Sequence, residues 1–214
     1  MEEQKVEELK QRVKQVFSDY YELAGGKDFR FYHLRSVHEY TLELMQKEEV
    51  QKRDFDEEAV EIAALFHDIG RSEDIEDGRM NPFEGHEGHA ERGAEIVDEH
   101  IDDLVEQEKL EKIEQVIRNH HSEPETVEGE ILQDADELFK YGVHDLWRMF
   151  HYASEKQRPI DETFTYFRNQ LHSDLQDGLS DFHFQVSRSA AEDRMQKQEL
   201  VISMMESHLH GRDI

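Results

Sequence analysis

His67 and Asp68 stand side by side at the close of an apolar run, AALFHDIG. Ala63, Ala64, Leu65 and Phe66 are core residues by type, so an imidazole and a carboxylate directly after them call for a common purpose. Together they form a donor set suited to a borderline divalent metal ion. Successive helical residues point about 100° apart, so the two side chains can bracket one point in space. Both fall in the last turn of an expected helix, where unpaired carbonyls favour a cation. Alone, the dipeptide reads as a helix-end histidine hydrogen-bonded to a carboxylate; its companions elsewhere in the chain change that reading.

Those companions gather in other expected helices. His33 lies in FYHLRSVHEY, His86 and His89 in GHEGHAERGAEIV, and His120 with His121 in VIRNHHSEP. Asp134 and Asp136 lie in ILQDADELFKYG, where a carboxylate inside an apolar stretch is costly to bury without a partner. Either of the two can be the buried one. His38 sits about 140° around a helix from His33, so the two do not face one ion. His38, His100, His144, His151, His172, His183, His208 and His210 read as surface or core residues. With no cysteine among 214 residues, thiolate ligands, disulfides and a cysteine nucleophile are excluded.

The elements that must position these groups read as helices. Apolar residues recur at three- and four-residue steps, as in Val6, Leu9, Val13, Val16 and Phe17, or Ile113, Val116 and Ile117, while strand-like alternation is nearly absent. The pattern predicts a single all-α domain over 1–214, with helices near 3–24, 31–49, 56–69, 87–105, 109–121, 128–141, 143–155, 160–178 and 186–209. Gly25-Gly26 is expected to end the first helix and Gly70 the third, with Asp54 and Glu57 capping the start of the third. Segment 71–86, RSEDIEDGRMNPFEGH, is the longest polar stretch and is expected to be a loop covering a pocket.

The order His33, His67-Asp68, Asp136 on an all-α chain, within the words HLRSV, AALFHDIG and ILQDADEL, resembles the HD superfamily of metal-dependent phosphohydrolases. More weakly, FTYFRNQLHSDL and the final helix are similar to the C-terminal helices of a small stand-alone bacterial type within it. The likeness spans about 28–145, an HD helical core, leaving 146–214 as a helical extension. It implies that His33, His67, Asp68 and Asp136 hold a divalent metal ion, Asp136 being the aspartate of A-D-x-L and Asp134 its neighbour. In two-metal members, further ligands come from a histidine opening a helix before Gly-Ala and from a later histidine pair. His89, followed by Gly93-Ala94, matches the first place, and His120 with His121 the second. The resemblance leaves these three either as ligands of a second metal, with Asp68 bridging, or as partners of the first metal's ligands. HHSEPETVEGE lacks the Gly-Tyr-Pro of the cyclic-dinucleotide branch, which argues against that activity.

The implied reaction is attack of metal-bound water on phosphorus, with one or two Mn, Mg, Ni, Co or Fe ions and Asp68 as ligand and base. Arg71 is the expected catalytic cation, its planar fork matching a phosphate oxygen, unless it pairs at the surface with Glu73 or Asp74. The substrate is then a phosphoester or phosphoanhydride, with a nucleotide favoured by the resemblance. Phe31, Tyr32, Phe66, Phe83, Tyr141 and Trp147 lie near the motifs, either to stack on a base or as core residues. The alternatives are a di-iron oxygenase of HD type and a non-catalytic regulator that binds a nucleotide or metal.

Charge narrows the partners. With 52 acidic residues against 25 basic ones the net charge is -27, which repels nucleic-acid polymers and anionic membranes. A phosphorylated substrate needs a locally positive pocket, for which Arg30, Arg35, Arg71, Lys140 and Arg148 are the candidates beside the metal. No apolar run reaches membrane-spanning length, and MEEQKVEELK is unlike a signal peptide. The expected compartment is the cytoplasm, and the expected state a monomer or homodimer.

Overall fold

Helix α4 (Glu57–Phe66) is buried at every residue from Ala59 to Phe66, Glu61 included. A helix without a solvent face must be surrounded. In the computed structural model, which describes residues 1–83 and 88–212, α4 packs against α1 (Glu3–Val16), α2 (Phe29–Met45), α7 (Gln107–Arg118) and α8 (Val127–Lys140). The single turn α3 (Glu48–Gln51) joins α2 to α4. After α4 come a 3-10 turn (Ile69–Asp74), α5 (His89–Ile96) and α6 (Asp98–Ile101). α8 is followed by α9 (Val143–Glu155), α10 (Ile160–Tyr166), α11 (His172–Gly178) and the long α12 (Gln185–Leu209). The fold is all-α apart from a small sheet, and among the described residues no helix is long and apolar enough to cross a membrane.

That sheet corrects the expected first helix, which ends at Val16 and not near residue 24. Asp19 takes a left-handed backbone conformation with φ 61°, which breaks a helix. The chain then forms β1 (Tyr21–Glu22) and β2 (Gly26–Lys27), so Gly25-Gly26 belongs to a hairpin and not to a helix end. β3 (Ile75–Glu76) and β4 (Arg79–Met80) complete the order β2-β1-β4-β3, with β1 and β4 parallel. Segment 71–83 is therefore a turn and a hairpin where an open loop was expected; Glu84, Gly85, His86 and Glu87 lie outside the described residues.

Other boundaries shift for local reasons. Asp56, not Asp54, caps α4, its carboxylate accepting from Ala59 N at 3.0 Å. The expected helix over 87–105 is two short ones, and that over 160–178 is interrupted by a π turn at Phe167–Leu171. α12 is tied down at its start by distant carboxylates. Glu49 accepts from Gln185 N and Val186 N, both at 2.9 Å, and Asp134 accepts from His183 N and Phe184 N at 2.8 and 3.0 Å. Asp134 is thus the more deeply buried aspartate of its pair, and its work is to hold α12 against α8.

Candidate metal centre

His67 closes α4 and Asp68 opens the 3-10 turn that follows. His67 Nδ1 donates to Ala64 O at 3.0 Å, which leaves a lone pair on Nε2. α2 brings His33 Nε2 to 3.2 Å from His67 Nε2 and 3.4 Å from Asp68 Oδ2. α8 brings Asp136 Oδ1 to 3.2 Å from His33 Nε2 and 3.7 Å from His67 Nε2. His33 and His67 thus each stand within 4 Å of both Asp68 and Asp136, because α2, α4 and α8 pack on one another.

The other oxygen of Asp68 faces a second group. His89, the first residue of α5, places Nε2 at 3.2 Å from Asp68 Oδ1, and His121 Nε2 lies 3.1 Å from His89 Nε2. His120 Nδ1 donates to Ile117 O at 2.6 Å, so its Nε2 also bears a lone pair; that buried nitrogen has no hydrogen-bond partner and lies 3.9 Å from Asp68 Oδ1. Glycines permit this approach. A Cβ at Gly70 would stand 2.2 Å from His89 O and 2.5 Å from Gly93 N, so only a bare backbone lets α5 press His89 onto Asp68. Gly70 thus serves close packing and does not stop the third helix, which ends earlier.

The donor set fits a divalent cation. Lone pairs of buried imidazoles pointing at carboxylates repel unless a positive charge stands between them. Metal–ligand bonds of ~2.1 Å put neighbouring ligands about 3.0–3.4 Å apart, close to the separations here. Asp68, His89, His120 and His121 form one group of donor atoms within 4.8 Å of one another, and His33, His67 and Asp68 form another.

Electrostatics keeps these groups ready. Burial pushes His67 down to about 4, and burial with the neighbouring His67 does the same to His120. Burial opposes a proton on His33 too, but hydrogen bonds to Asp136 and Asp68 outweigh it and raise that histidine. Burial raises a carboxylate, yet Arg30, His67 and Arg71 hold Asp68 well below the usual range. Asp136 is lowered against its own burial by His33 and His67.

The remaining expected residues are sorted by their contacts. Arg71 Nε donates to Asp68 Oδ1 at 3.0 Å, and its Nη1 lies 4.0 Å from Oδ2 of the largely buried Asp74, so it stands between the site and that second carboxylate. Arg30 is buried between Asp68 and Glu22 rather than offered to a ligand. Arg35 lies exposed over the Tyr32 ring. Phe66 and Tyr141 are core; Phe83, Tyr32 and Trp147 are exposed. His38 pairs with Glu61 at 3.1 Å and is not among the clustered histidines. A cavity lined by His120, His121, Asp136 and Lys140 opens beside the cluster. A neighbouring cleft of about 530 Å³ shares Lys140 and continues past Asp145 and Arg148, which also line a third hollow with Tyr152 and Tyr166. Sequence reasoning missed Glu22, Tyr20, Asp145, Tyr152 and Tyr166. The signal present was Arg30, a cation beside the start of the helix expected over 31–49, the end that prefers anions.

A family model described as HD domain matches residues 30–140. In fold the chain is similar to Bacillus subtilis YpgQ in complex with ADP, with a TM-score of 0.63 and 19% identity, covering 95% of this chain and 97% of that one. It is also similar to a predicted HD superfamily hydrolase from an uncultured Thermotogales bacterium, with a TM-score of 0.62 and 24% identity, covering 96% and 91%. The Lin1889 protein of Listeria innocua gives a TM-score of 0.59 and 19% identity over 96% and 97%. At these identities the likeness is one of fold. Among curated proteins none matches.

Proposed function

The chain belongs to the HD domain family, which supports a metal-dependent hydrolase, and on that premise we propose that it is a phosphohydrolase acting on a nucleotide. The observation that carries this reading is the placement of Asp68 between two sets of imidazole nitrogens, one facing each carboxylate oxygen. His33, His67, Asp68 and Asp136 are the residues for one divalent cation, and Asp68, His89, His120 and His121 for a second. When bound, such a cation supplies Lewis acidity to a phosphoryl oxygen and makes water more acidic.

The chain's own groups do the rest. Asp68 stays proton-free at neutral pH and orients the attacking water through its carboxylate. Arg71, anchored on Asp68 Oδ1, sets a guanidinium beside the phosphoryl position, where its charge offsets what develops there. Full burial of His67 and near-full burial of His120 keep bulk water from their nitrogens.

A nucleotide suits the cleft that leaves the centre. Lys140 and Arg148 lie along it for phosphates, and Tyr152 and Tyr166 line its far end for a base. The presence of ADP in the YpgQ complex, a protein of similar fold, supports the same class of ligand. Asp174, Asp177 and Asp181 on the rim favour a magnesium-complexed polyphosphate over a bare one.

Elemental analysis of the purified protein, followed by a phosphate- and pyrophosphate-release screen of nucleotides with Mn, Mg, Ni, Co and Fe, tests the reading. Release by the parent and none by Asp68→Ala is expected. A parent that releases nothing with any of these metals refutes it, and bound iron with a visible absorption band in air directs attention to oxygenase chemistry instead.

A further inference from the structure

Glu22 has no exposed surface, yet it lies on a two-residue strand at the edge of the helical core. A carboxylate there needs a partner, and it has one in Arg30. Arg30 Nη2 donates to Glu22 Oε1 at 2.7 Å, and Arg30 Nη1 donates to Asp68 Oδ2 at 2.5 Å. Tyr20 OH donates to Glu22 Oε2 at 3.2 Å and accepts from Arg30 N at 2.5 Å. The strand is fixed in turn, because Tyr21 N and Leu23 N donate to Gly78 O and Met80 O at 2.8 and 2.9 Å.

Arg30 is badly placed by every local criterion. It is 7% exposed and stands in the first turn of α2, where the helix end already carries partial positive charge. Only two carboxylates make its burial tolerable. One of them, Asp68 Oδ2, is also the oxygen that lies 3.4 Å from His33 Nε2 and 3.7 Å from His67 Nε2. A cation held by those histidines and the guanidinium of Arg30 therefore draw on the same atom.

The geometry points to Glu22 as a positioning residue for the metal centre: through Arg30 it aims the Asp68 carboxylate, and by offsetting the guanidinium charge it leaves Oδ2 available to a divalent cation. This rests on the reading that His33, His67, Asp68 and Asp136 hold such a cation. Groups that hydrogen-bond a ligating carboxylate commonly change metal affinity by about 10–100-fold when removed. Glu22 acts one step further out, and its lever is charge as well as geometry. The relay also joins the site to the hairpin 75–80, because β4 is the strand on which β1 rests.

The test is Mn²⁺ binding to the metal-stripped full chain by calorimetry, for the parent, Glu22→Gln, Arg30→Gln and the double variant. Glu22→Gln is expected to bind at least ~10-fold more weakly than the parent. In the Arg30→Gln background the same change is expected to matter by less than about twofold, since Glu22 then has nothing to act through. An equal loss in both backgrounds assigns Glu22 a merely structural role and overturns the proposal, as does a Glu22→Gln variant that binds like the parent. If Glu22→Gln does not fold, Tyr20→Phe keeps every charge while removing the hydrogen bond to Glu22 and the one accepted from Arg30 N. It is expected to weaken binding about threefold, and unchanged binding there overturns the proposal. A parent that binds no Mn²⁺ overturns the metal reading itself, whereas normal parent binding beside unaffected variants overturns the Glu22 role alone.

Discussion

His120 Nε2, a buried nitrogen without a hydrogen-bond partner, lies 3.9 Å from Asp68 Oδ1. The imidazole lone pair and the carboxylate face each other without a proton between them, an arrangement that destabilises the metal-free chain and that a cation relieves. Divalent metal is therefore expected to stabilise the fold. At about a hundredfold excess over the dissociation constant the gain is roughly 2.7 kcal/mol, or ~5–10 °C in thermal midpoint for a chain of this size. Melting curves with Mn²⁺ and with a chelator check this; superimposable curves count against a metal site.

The two oxygens of Asp68 face separate groups of histidines, so on the proposed reading the two ion positions are separable. His120→Phe keeps a ring in the space and removes a donor. It is expected to lower bound metal by about one ion per chain while leaving the ion at His33, His67 and Asp136 in place. Asp68→Asn is expected to weaken both. Metal-to-protein ratios after dialysis decide the matter, and a full complement in His120→Phe contradicts the assignment.

Gly70 has no space for a side chain, since a Cβ would fall 2.2 Å from His89 O. Because the obstacle is backbone, Gly70→Ala must shift α5 away from the 3-10 turn. A loss of about 1–3 kcal/mol in denaturant unfolding is expected, the usual cost of overpacking, together with loss of the ion that His89 borders. A variant as stable as the parent and with full metal content disproves the tight contact.

Burial pushes Asp145 up to about 6 from its ordinary 3.8, against the pull of Arg148 and Lys140. A group whose folded value is raised contributes stability that is whole below 3.8 and is lost as pH rises through 6. Asp145→Asn stays neutral and escapes that loss. Its stability relative to the parent is expected to grow between pH 5 and pH 8 by about 1.4 kcal/mol, read as a widening gap in thermal midpoints. A gap that stays constant over this range excludes a buried, titrating Asp145.

The helical class was written in residue spacing, and the candidate donors with their order along the chain in the resemblance to the HD superfamily. AALFHDIG reads as a buried helix closed by an imidazole and a carboxylate, and α4 is buried from Ala59 onward. Local signals marked Gly70 only as a helix stop, because spacing along one segment cannot reveal a neighbour that arrives from residue 89. The end of the first helix at Val16 was hidden for the same reason: β1, besides pairing with β2, rests on a hairpin from residues 75–80.

What tertiary structure alone decided is which atoms share a point. The pattern ILQDADEL offers two aspartates with equal local claims. Packing of α8 turns Asp136 toward His33 and His67 and gives Asp134 to the start of α12. Likewise nothing in YYELAGG marks Glu22 as a partner of Asp68; the link exists only through a guanidinium brought between them by α2. Residue chemistry is local and therefore readable in order, whereas a distance between side chains far apart in sequence is a property of the packed chain.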